Sequence, residues 1–182
     1  MLKTDVWETI AEEALRESQL WAMALLPSHA RERVAVFSSL GAERFALGIE
    51  SIYEGYLLHY GRARLFSPPD RDTTVLLGDY LYAHGLVRIA ALGEVRVVAD
   101  LAELLSLCAQ LRAEPPGRAG SADGLVWAAT VALLGRNNGR LEDSRAALRD
   151  RGDPAPLAQL AAAETAEEAV AAALARHVAR AG

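Results

Sequence analysis

The sequence predicts an all-α fold, a helical bundle, on three observations. Apolar residues return every three or four positions in one segment after another. Proline, glycine and capping residues punctuate those segments at helix-length intervals. The period-two alternation of strands appears only at Val95-Arg96-Val97-Val98, which is short and flanked by helical sequence. The 182-residue length corresponds to one domain, with a core bundle over about 4–113, a mobile loop over 114–124 and C-terminal helices over 125–182.

The first helix is expected from a Thr4 cap to about Leu26, with Val6, Trp7, Ile10, Ala14, Leu15, Trp21 and Leu25 at helical spacing. Pro27-Ser28 ends it and opens a short helix through Arg31 to Leu40, broken at Gly41. A third helix is expected over about 42–65. Phe45, Ile49, Ile52, Tyr53, Tyr56, His59 and Tyr60 share one face of it, and Glu43, Arg44, Glu50, Ser51 and Glu54 take the other side. After the Ser67-Pro68-Pro69-Asp70 loop, Asp70 or Asp72 caps a helix from Thr73 to about Leu92. That helix is apolar nearly all round, so it belongs inside a bundle or in an interface. Gly78 and Gly85, two turns apart, allow another helix to approach closely and offset glycine's cost of about 1 kcal/mol each. Gly93 closes it, and Glu94 to Ala113 forms the next, with Val97, Val98, Leu101, Leu104, Leu105, Cys108 and Leu111 in register.

Beyond the Pro115-Pro116-Gly117 loop, Asp123 caps an apolar helix over Leu125 to Leu134. Gly135-Arg136-Asn137-Asn138-Gly139 is a turn, and Leu141 to Arg149 a short polar helix. Asp153-Pro154 and a Thr165/Glu168 capping box start the last two helices, alanine-rich and expected on the bundle's outside.

Composition narrows the function classes. Apolar residues make up 52% of the chain and aromatic residues 6%, so the core is mainly aliphatic. A net charge of −5 argues against nucleic acid, which calls for a concentrated basic surface. Cys108 is the only cysteine, so neither an internal disulfide nor a cysteine-based zinc site is possible. No leader or membrane-length apolar run is evident, and a cytoplasmic protein is the expectation. No cofactor is called for. His59 with Arg62, Arg64 and Arg71 makes a basic end on the third helix. The helix dipole accounts for Arg62 and Arg64; the alternative is that Arg62, Arg64 and Arg71 contact a phosphate or carboxylate. Asp79, in so apolar a helix, reads as a partnered core acid or interface contact, because a lone buried carboxylate is costly. His29 and His177 carry little signal.

Two segments then resemble the middle of the trans-type polyprenyl diphosphate synthases. Glu50, Ile52, Tyr53 and Leu57-Leu58-His59 follow the order of that family's first motif helix, and Leu76-Leu77-Gly78-Asp79-Tyr80-Leu81 is similar to its Leu-Ala-Gly-Asp-Tyr-Leu segment. The likeness covers about Ile49 to Glu114 and implies a truncated isoprenoid (terpenoid) synthase fold. The family's first aspartate cluster, however, falls on Tyr60, Gly61 and Arg64, and no second cluster follows. These residues cannot form the oxygen cage that Mg²⁺ requires. The chain therefore has no expected catalytic or metal residues and is not expected to act as an enzyme alone.

The resemblance is nearest to the noncatalytic small subunit (component one) of bacterial heteromeric heptaprenyl and hexaprenyl diphosphate synthases. It implies a regulatory subunit in isoprenoid biosynthesis, quinone side chains included, as a homodimer or paired with a catalytic synthase subunit. Tyr53, Tyr56, Leu57, Gly78, Asp79, Tyr80 and Gly85 are its expected apolar cleft or interface. Two alternatives stay open: a stand-alone helical binding protein for an isoprenoid or other apolar ligand, and a divergent prenyltransferase.

Overall fold

The computed structural model describes residues 5–113, 122–136 and 139–181, and it is all-helical there, with one isolated bridge between Leu25 and Phe66. Most of the expected loop, the Thr4 cap and Asn137-Asn138 lie outside the described residues.

The first expected helix is two. α1 (Val6–Glu17) is capped by Asp5, whose side chain accepts from the Trp7 N–H. Ser18, in extended conformation, ends α1 and caps α2 (Gln19–Ala24) by accepting from the Leu20 N–H. The helix expected over Arg31 to Leu40 does not form. Single 3₁₀ turns at Ser28–Ala30 and Ser38–Leu40 flank an irregular stretch. That stretch bonds instead to the chain after the third helix: Leu26 N–H donates to Leu65 O, Ser67 N–H to Ala24 O and Glu32 N–H to Arg64 O, at 2.7–3.0 Å. Tertiary pairing thus outweighs local helix propensity.

A 3₁₀ turn at Glu43–Phe45 leads into α3 (Ala46–Tyr60), shorter than expected. Its polar side is not solvated: Glu50, Ser51 and Glu54 are buried along with the apolar face. α4 (Arg71–Ala90) starts at Asp70, whose carboxylate accepts from the Thr73 N–H at 2.7 Å. Among the described elements, α3 and α4 pack together most extensively. A β-carbon on Gly55 would lie 2.7 Å from Gly78 O, and one on Gly85 would lie 2.8 Å from Gly48 O. The backbones meet at two glycine pairs, Gly48 with Gly85 and Gly55 with Gly78.

Gly93, at φ +78°, reverses the chain into α5 (Val95–Ala113). α6 (Ala122–Leu133) is buried over almost its whole length. α7 (Gly139–Arg151) and α8 (Ala155–Glu164) follow, with Asp153 accepting from the Ala155 N–H. The Thr165 hydroxyl does not cap the last helix; it donates back to Ala161 O. α9 (Glu167–Ala181) is not an outer decoration, since Val170, Ala173 and His177 reach the core. The main core joins α3, α5, α6, α8 and α9, and a smaller cluster joins α1 to Leu65, Phe66, Leu77 and Leu81. No helix among the described residues is long and apolar enough to cross a membrane.

Candidate functional site

The extended pairing after α3 turns Arg64 inward, where its side chain is fully buried. Its Nε donates to Glu54 at 2.9 Å and its Nη1 to Glu50 at 2.6 Å and to Val34 O at 2.9 Å. One cation against two carboxylates leaves an excess negative charge, and further donors absorb it. The Arg64 and Leu65 N–H groups both donate to Glu54 Oε1, at 2.8 and 2.7 Å, and the Ser38 hydroxyl donates to Glu50. Trp7 and Tyr53 lie on the guanidinium, with ring centroids 4.6 and 5.1 Å away. Burial alone would lower this guanidinium's pKa, but the Glu50 and Glu54 carboxylates reverse that and raise it.

A second buried network crosses the core. Asp123 is not a helix cap; it sits within α6 with no exposed surface. The Tyr56 hydroxyl donates to its Oδ2, and Arg112 Nε and Nη2 donate to the same oxygen at 2.9 and 2.5 Å. His177 Nε2 faces that oxygen at 3.4 Å, and His177 Nδ1 is 3.0 Å from the Tyr53 hydroxyl. Burial would raise the Asp123 pKa, but the His177 and Tyr56 contacts and the Arg112 charge bring it down to about 2. Around the network, Trp127 stacks on Phe37 at 5.6 Å and meets Tyr53 edge-on at 5.0 Å.

The expected site residues do not come together. Tyr53, Tyr56 and Leu57 lie inside the core, Gly78 and Gly85 lie in the α3–α4 seam, and Tyr80 packs half-buried on Trp21 and His84. Asp79 is exposed rather than a core acid, because its position on α4 faces outward; its carboxylate sits 3.1 Å from His59 Nε2. Of these seven, Leu57 alone lines either of the two cavities described below. The three arginines also part company. Arg64 is consumed by Glu50 and Glu54, so no external phosphate reaches it. Arg62 pairs with Glu32 at 2.5 Å, and Arg71 is exposed on the first turn of α4.

At the positions that would carry the family's first aspartates, Tyr60 is half-buried and Gly61 lies under the end of α9. A β-carbon on Gly61 would lie 2.6 Å from Arg180 O, and the Arg62 N–H donates to that same carbonyl at 3.0 Å. Arg180 itself donates to Glu32. A cleft of about 350 Å³ beside this junction is lined by Leu57, Leu58, Gly61, Arg62 and Phe66. A larger groove of about 560 Å³ lies between α1 and the start of α3, lined by Val6, Thr9, Ser38, Gly41, Arg44 and Leu47. Among the described residues, no group of three or more acidic, histidine or cysteine side chains is arranged to hold a metal ion.

Sequence reasoning passed over the pairing of Glu50 and Glu54 with Arg64 and the separate meeting of Arg112 and His177 on Asp123. One signal was available for His177: with Val170, Ala173 and Ala181 it falls on the buried stripe of α9. No family model, curated protein or solved structure matches the chain.

Proposed function

We propose that this chain is a noncatalytic, regulatory relative of the polyprenyl diphosphate synthases that pairs with a catalytic subunit in isoprenoid biosynthesis. One observation carries the reading: the first-cluster positions are built into the protein's own packing. Arg64 is locked in a buried ion-pair network, and α9 closes over Gly61. Both features are hard to reconcile with a site that must admit Mg²⁺ and a diphosphate. The interior where a prenyl chain would lie is filled by Trp127, Phe37, Tyr53 and Tyr56, which favours a partner role over a ligand-binding one. An outward apolar face on α4, with Leu76 55% and Val87 65% exposed, supplies a surface for association.

The test is prenyl transfer with allylic diphosphate, isopentenyl diphosphate and Mg²⁺. The protein alone is expected to form no product. Mixed with the catalytic synthase of the same organism, it is expected to change the rate or the product length. Turnover by the protein alone, or a mixture identical to the synthase by itself, overturns the reading.

A further inference from the structure

α1 lies on the body of the protein as an amphipathic helix lies in a groove. Trp7, Ile10 and Ala14, three and four positions apart, pack on a cluster with Leu58, Leu65, Leu77 and Leu81 that is separate from the main core. Glu8 and Glu13 flank that stripe, about 100° to either side. Each meets a basic wall. Glu8 pairs with Arg33 at 2.8 Å and Arg31 at 3.7 Å, and Asp5 adds a bond to Arg33 at 3.0 Å. On the other side, Glu13 pairs with Arg88 and lies 3.7 Å from His84 Nδ1. The trough under α1 is thus apolar along its floor and cationic on both walls.

α1 fills this trough poorly. Two of its three buried residues are the alanines Ala11 and Ala14. A groove of about 560 Å³ stays open beside its first turns, against Val6, Thr9, Ser38 and Leu47. At 12 residues α1 is marginal as a helix without support, and Ser18, in extended conformation, breaks it from α2. Such an element opens at a lower free energy than the core helices. We propose that the trough is a docking site for an acidic amphipathic helix of a partner protein, and that α1 is its resident substitute, displaced when the partner binds. The occupant's chemistry is read from α1. An aromatic residue lies on Arg64, as the Trp7 ring does at 4.6 Å. Apolar residues follow three and seven positions on, and carboxylates one and six positions on, to meet Arg33 and Arg88. Bulkier side chains than those of α1 would occupy the open groove. A basic helix would be repelled by both walls. The inference does not depend on the isoprenoid reading.

Fluorescence anisotropy of a labelled peptide of residues 5–24, titrated with the full chain, tests it. Ile10→Glu in the chain removes the buried anchor of the resident helix and frees the trough. That variant is expected to bind the peptide at least about tenfold more tightly than the unsubstituted chain, where α1 competes at high effective concentration. Added salt is expected to weaken the binding. Arg88→Glu added to the variant is expected to abolish it, and Glu13→Arg in the peptide to restore it. No binding by the variant, binding no tighter than that of the unsubstituted chain, or a charge exchange without effect overturns the proposal. Should Ile10→Glu unfold the chain, hydrogen exchange of the unsubstituted protein decides. The α1 amides are expected to exchange at least about tenfold faster than those of α3, and equal rates overturn the proposal. A dimer of the unsubstituted chain that excess peptide dissolves would make a second copy the occupant and overturn the partner helix.

Discussion

Arg64 decides much of what surrounds it. A guanidinium with no exposed surface holds two buried carboxylates, and among the described residues no other ion pair reaches them. Arg64→Met is therefore expected to destabilise the fold by about 3–5 kcal/mol, because Glu50 and Glu54 would be left buried and unpaired. Urea denaturation measures this. Arg64→Lys is not a rescue, since an ammonium cannot reach both acids and Val34 O with the same planar fork. Asp123 makes a pH prediction of definite sign. Its folded pKa of about 2 lies below its ordinary value of 3.8, so the stability it contributes is present above about pH 4 and is lost as pH falls through 2. The expected loss is about 2 kcal/mol. Asp123→Asn should flatten this acid branch of the stability curve; an unchanged branch would show that Asp123 does not carry it.

At the scale of elements, the α3–α4 seam depends on missing side chains. Gly85→Ala would gain about 1 kcal/mol of helix propensity. Its β-carbon, however, would sit 2.5 Å from Ile52 and 2.8 Å from the Gly48 carbonyl, forcing the helices apart at a cost of about 1–3 kcal/mol. The net effect is expected to be destabilising. Gly139, at the start of α7 with nothing within 4 Å of an added β-carbon, is the contrast: Gly139→Ala is expected to be neutral or to stabilise by about 0.4–1 kcal/mol. Thermal unfolding of the two variants reads both signs. Gly78 and Gly85 were legible as a close-approach stripe because two glycines in an apolar helix need a reason. The polar side of α3 was not legible in the same way. Glu50, Ser51 and Glu54 look like a solvated face until Arg64, brought by the bonds to Leu26 and Glu32, covers them. That pairing is long-range, and no local pattern encodes it.

For the whole molecule, the same division holds. The all-α class, the Asp70 cap, the Gly93 reversal and the α5 register follow from periodicity and capping, which are local properties. The helix expected over Arg31 to Leu40, the supposed cap at Asp123 and the outer placement of α9 fail where distant segments meet. Asp123 illustrates the cause: an acid ahead of an apolar run looks like a cap, and its burial is made tolerable by the Tyr56 hydroxyl, Arg112, His177 and the Gly124 N–H, which donates to Oδ1 at 3.0 Å.

The joins between α9 and the front half of the chain carry a kinetic consequence. Tyr53 bonds to His177 across 124 positions, and Glu32 to Arg180 across 148. Closing such wide loops is entropically demanding, so the last helix should dock slowly against a hairpin assembled earlier. In stopped-flow refolding, backbone helicity should rise first and the Trp127 fluorescence change should trail it; simultaneous phases would mean that the two halves condense together.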